Sequence, residues 1–89
     1  MVHEGRHISN RLRKHRKVLG YNQQDVAKLL GHKSTSKISK WEKGLAMPSA
    51  INLLKLAILY GVLPQELYFQ IYCEFKQSLS EKRVAFQKH

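Results

Sequence analysis

Apolar positions along this chain recur at helical spacing in short bursts, separated by glycines and polar residues. Ile8, Leu12 and Leu19 stand at i, i+4 and i+11, one face of a helix that begins near Ile8 and stops at Gly20. Arg11, Arg13, Lys14, His15, Arg16 and Lys17 fill the rest of that helix, a basic exterior that suits either solvent or phosphate. Asn22 then offers an N-cap, and Asp25, three residues on, is its capping-box partner. The next helix therefore starts at Gln23, with Val26, Ala27, Leu29 and Leu30 as its apolar face, and Gly31 closes it. After the link His32-Lys33-Ser34, with Ser34 as cap, a third helix is expected over about 35–43, with Ile38 and Trp41 turned inward. Gly44 and Pro48 mark a loop, Ser49 caps a fourth helix whose buried face is Leu53, Leu54, Leu56, Ala57 and Tyr60, and Gly61 ends it. Pro64 opens a fifth helix at a first-turn position it tolerates.

The expected fold is all-α, five helices in a compact domain over residues 1–67, with a C-terminal helical extension over 68–89. Within it, residues 22–44 read as two short amphipathic helices joined by a tight turn, a helix-turn-helix. The extension holds no Pro or Gly, so the fifth helix is expected to run on for several turns before fraying beyond Arg83. Its stripe of Leu67, Ile71, Phe75 and Leu79 either folds back on the body or crosses a second copy of the chain. Ile51 and Ile58, seven apart on the outer face of the fourth helix, form an apolar stripe that also calls for a cover.

Charge sharpens this picture. Residues 1–45 carry 11 Lys/Arg against 3 Asp/Glu, a net of +8, whereas residues 46–89 carry 5 against 3, a net of +2. So polarised a field favours a polyanion, nucleic acid or an anionic surface, near the first half. Cys73 is the single cysteine, which leaves no disulfide within the chain or thiol set for zinc and fits a reducing cytoplasm. No stretch reads as a signal peptide or a membrane span. His3, His7, His15, His32 and His89 show no metal-ligand spacing, and no carboxylate pair is placed for acid–base work, so no metal, cofactor or enzymatic activity is expected.

The chemistry that the pattern does place is that of DNA recognition. Gln23 and Gln24 open a helix whose free N–H groups and positive dipole end suit a phosphate. Thr35, Ser36, Lys37, Ser39 and Lys40 project from the third helix as hydrogen-bonding or cationic side chains suited to base edges in a major groove. Arg6 and His7 are placed to reach a polyanion from the N-terminal arm.

These residues resemble the Cro/C1-type helix-turn-helix family, the phage-repressor-like or XRE proteins, over residues 8–67. The likeness rests on Gln23, Val26-Ala27 and Gly31, then Ile38-Ser39, Glu42 and Gly44, then Pro48-Ser49, Leu53, Ala57, Gly61-Val62 and Glu66-Leu67, in that order and spacing. It implies a lambda-repressor-like domain whose third helix lies in the major groove, with Gln23 on a phosphate and Lys43 and the following loop near the backbone. It also implies a structural pair between Arg16 and Glu42. Two departures stand out: six residues separate Gly31 from Ile38 where five are usual, and Ile51 and Ile58 replace polar residues. The implied function is sequence-specific binding of double-stranded DNA by a cytoplasmic transcriptional regulator, a repressor acting as a homodimer through Ile51, Ile58, Ile71, Phe75 and Leu79. The alternative is an antitoxin that presents the same surface to a toxin protein.

Overall fold

In the computed structural model, which describes residues 7–87, the side chain of Asn10 decides where the first helix starts. Its Nδ2 donates to the Trp41 carbonyl at 3.1 Å, and its Oδ1 accepts from the Leu12 N–H at 3.1 Å. The neighbouring Ile8 N–H donates to the Gly44 carbonyl at 2.8 Å, and Arg11 N–H to the Leu67 carbonyl at 2.8 Å. The N–H groups of Ile8 and Arg11 and the side chain of Asn10 are thus spent on distant partners and residues 8–11 form a strap, so α1 spans Leu12–Val18 and does not begin near Ile8. Leu19 falls beyond the helix and is exposed; the inward face is carried by Leu12 and Arg16, four residues apart, with Ile8 packed beside them.

Helix α2, Gln23–Leu30, forms as its caps dictate: Asp25 N–H donates to Asn22 Oδ1 at 2.7 Å, and Asn22 N–H to Asp25 Oδ2 at 2.9 Å. Val26 and Ala27 are buried and Leu30 half-buried, but Leu29 faces out. Its exit is closed by His32 N–H to the Ala27 carbonyl at 2.8 Å and Gly31 N–H to the Lys28 carbonyl at 3.1 Å, with Gly31 at φ 80°. Helix α3 covers Ser36–Glu42 with Thr35, not Ser34, at the cap position; Ser34 Oγ instead accepts from Ser36 N–H at 3.4 Å. Helix α4, Ala50–Tyr60, starts at the Ser49 cap and ends at Gly61, and α5, Pro64–Leu67, follows. On α4, Leu56, Ala57 and Tyr60 are buried, Leu53 is half-buried, and Leu54 is exposed.

The extension does not continue α5. Tyr68, at φ −127° and ψ 48°, breaks the run, and α6 is a separate helix over Phe69–Phe86. Two tertiary demands explain the break: the Leu67 carbonyl, which a continuing helix would use, accepts from Arg11, and the Tyr68 ring is drawn into the core. Helix α6 stays helical past Arg83, where fraying was expected. It does not fold back over Ile51 and Ile58, both of which remain exposed, and it has no buried residue of its own.

One core joins the five-helix body: Leu12, Val26, Ile38, Leu56 and Leu67 are fully buried, closed by Trp41, Tyr60 and Tyr68. Burial pushes the Tyr60 and Tyr68 phenols up from 10.0 to about 12, with the Glu42 charge adding to the effect at Tyr60. The unfolded chain releases those protons at the ordinary 10.0, so stability is full below pH 10 and is expected to fall as pH climbs toward 12. Following phenolate absorbance alongside the melting temperature tests this; all 4 tyrosines ionising together at the ordinary value in the folded state would contradict it.

Candidate nucleic-acid interface

The polar centre of the molecule is a guanidinium inside the helix-turn-helix. Arg16, on α1, donates from Nε to Glu42 Oε2 at 2.6 Å, from Nη2 to Glu42 Oε1 at 3.0 Å and from Nη1 to the Tyr21 carbonyl at 2.9 Å. The fork matches the carboxylate edge, which is the strong form of an ion pair. Its hydrogen bond and proximity to Glu42 hold the Arg16 pKa above the usual guanidinium value, against the opposing effect of burial. The pair locks the end of α3 to α1, and Tyr21 brings in the turn before α2. The Arg16 and Glu42 side chains occupy the bracing positions that the family resemblance implies.

Gln23 is the first residue of α2, and its Nε2 donates to Glu42 Oε1 at 3.0 Å. The amide is thus committed to Glu42, which fixes the orientation of the Gln23 side chain. Arg13 and Lys43 flank the same place: with Arg16, Gln23 and Glu42 they line a cleft of about 170 Å³. Because Arg16 neutralises Glu42, Arg13 and Lys43 set the sign of that cleft. Arg13 is a residue that sequence reading left inside a general basic run. Its only sequence signal is that it precedes Arg16 by three, one turn along α1.

Helix α3 is seated by Ile38 and Trp41, and the edge of the half-buried His32 ring meets Trp41 at a centroid distance of 5.9 Å. The opposite face carries Ser36, Lys37, Lys40 and Lys43, all exposed, while Thr35 and Ser39 lie half-buried on its flank. Gln23 and Lys43 therefore share one cleft, and Ser36, Lys37 and Lys40 lie on the exposed side of α3. A broader cleft of about 610 Å³ borders the turn, adding Lys28 and Lys33 beside Ser34 and Thr35. His7 is exposed, and Arg6 lies outside the described residues.

Two helices joined through a tight turn, the second presenting lysines and hydroxyls and braced by a buried ion pair, define a DNA-binding helix-turn-helix domain. A family model described as helix-turn-helix matches residues 12–67, from the first residue of α1 to the last of α5. The chain belongs to the Cro/C1-type, or XRE, helix-turn-helix family, and it is a DNA-binding regulator of a fold that is generally non-enzymatic. No curated protein and no solved structure matches it. Among the described residues, no helix is long and apolar enough to cross a membrane.

Proposed function

We propose that this protein is a transcriptional repressor that binds a specific double-stranded DNA operator as a homodimer in the cytoplasm. The observation that carries the reading is the cationic, hydroxyl-bearing outer face of α3, held rigid by Ile38, Trp41 and the Arg16–Glu42 pair. In this reading residues 1–67 are the DNA-binding unit. Thr35, Ser36, Lys37, Ser39 and Lys40 contact bases, whereas Lys43, Arg13 and the N–H groups of the helix start at Gln23 grip the backbone. Residues 68–89 are the dimerising extension. Two copies reach half-sites one helical turn apart, which multiplies a modest single-site affinity.

Selection from random duplexes should recover a two-fold symmetric site. Against that site Lys40→Ala is expected to cost about 1–3 kcal/mol and to relax preference at one base pair. Arg13→Ala is expected to weaken all duplexes alike and to lower the salt slope by about one unit. Uniform weakening by Lys40→Ala would move it to the backbone class. Recovery of no preferred site would sink the specific-repressor reading.

A second reading, an antitoxin, is favoured by the uncovered apolar side chains Ile51 and Ile58 and by α6, whose Phe75 and Leu79 are exposed. Ile71, the remaining candidate interface residue, is half-buried against the chain's own core. A small toxin co-purifying in stoichiometric amount from native cells would favour this reading.

A further inference from the structure

Three ammonium groups gather around the turn between α2 and α3. Lys28, in the last turn of α2, and Lys33, in the link, line the cleft of about 610 Å³ together with His32, Ser34 and Thr35. A smaller cleft of about 200 Å³ adjoins it through His32, Lys33 and Ser34, and adds Lys37 from α3. All three lysines are exposed, and among the described residues none of them pairs with a carboxylate, the single ion pair being Arg16–Glu42. The one acidic residue in the lining, Asp25, already accepts from the Asn22 N–H at 2.9 Å. The hollow is therefore positive, and the repulsion among its lysines is relieved when an anion enters.

The turn that carries these groups is tied on both sides. His32 N–H donates to the Ala27 carbonyl of α2 at 2.8 Å, and the edge of its ring meets Trp41 of α3. Lys33 also belongs to the stretch between Gly31 and Ile38 in which this chain is one residue longer than the family's usual form. Thr35, at the start of α3, borders this cleft, whereas Lys43, at its end, borders the cleft of Arg13. From Thr35 to Lys43 is eight steps of about 1.5 Å, or about 12 Å, a distance on the scale of the width of the major groove. A single phosphate cannot occupy both clefts.

Resting on the operator-binding reading above, we propose that Lys28 and Lys33 hold a second backbone phosphate, at the opposite end of α3 from Arg13 and Lys43. Lys37 stays with the face of α3 that meets bases. The helix is then gripped at both ends, which fixes its tilt and its register in the groove. Contacts of this kind position the protein and carry no sequence information themselves, and they weaken as salt rises.

The test uses the full chain and the selected operator, with one phosphate at a time replaced by neutral methylphosphonate. Positions at which the replacement weakens binding of the wild-type protein mark its phosphate contacts. In the Lys28→Ala, Lys33→Ala double variant one of those positions should become indifferent to the replacement, the salt slope should fall by about one for that phosphate, and helix content should stay unchanged. In Arg13→Ala a different position should become indifferent. Lys76→Ala with Lys82→Ala removes the same charge from α6 and should leave every position sensitive, which separates contact from net charge. If every position stays sensitive in the Lys28, Lys33 variant, or if it loses the same position as Arg13→Ala, the second grip is overturned and the operator reading stands. Recovery of no preferred duplex would overturn both.

Discussion

Glu42→Ala is expected to be the most damaging single change to this protein, lowering unfolding free energy by about 3–5 kcal/mol. Arg16 is 7% exposed, and the carboxylate accepts two of its guanidinium bonds besides the Gln23 amide. Removing the carboxylate strands a guanidinium away from water, and a domain of this size holds only about 5–15 kcal/mol in all. Removing both partners, Arg16→Met with Glu42→Leu, is expected to cost much less than Glu42→Ala alone, because no unmatched charge remains. Urea unfolding of the three variants measures this. A loss below about 1 kcal/mol for Glu42→Ala would mean that the pair behaves as an ordinary surface bridge.

Gly44→Ala should come next, and Gly31→Ala is its control. Both glycines have positive φ, 76° and 80°, so both variants carry the left-handed strain of about 1 kcal/mol. They differ in what a methyl group would meet. At Gly31 nothing lies within 4 Å, whereas at Gly44 the new Cβ would stand 2.5 Å from both the N and the O of Ile8. Those are backbone atoms of the strap, held there by the Ile8 N–H bond to the Gly44 carbonyl, so they cannot rotate away. Gly44→Ala is expected to cost about 3 kcal/mol or more, and to free the strap from the α3–α4 loop. Equal losses at the two glycines in urea unfolding would show that the strap does not lie as described.

Helix α3 could be read from the chain because its two faces are written in residues three and four apart. Ile38 and Trp41 turn inward, and Ser36, Lys37, Lys40 and Lys43 consequently face out. The Arg16–Glu42 brace spans 26 residues and was legible only through family resemblance, since no local spacing pairs one cation among eleven with that carboxylate. The cleft of Arg13, Gln23 and Lys43 required the fold itself. It is assembled from α1, the start of α2 and the end of α3, and composition alone marks Arg13 no differently from Lys14 or Lys17.

The apolar positions divide in the same way. A helical period says that Leu29 and Leu54 share a side with buried neighbours, but the width of the buried stripe depends on what lies opposite, and nothing in the body covers them. By itself, the sequence determined the helix ends that are closed within a few residues: Asn22 with Asp25, Ser49 with Asn52, Gly31 and Pro64. Those caps satisfy the backbone locally, so no distant contact can easily outbid them. Tertiary structure alone decided that residues 8–11 form a strap and that the chain breaks at Tyr68. In both places a backbone group is bonded to a residue far away in sequence, Ile8 to Gly44 and Arg11 to Leu67, and the ring of Tyr68 completes a core that exists only once five helices have met.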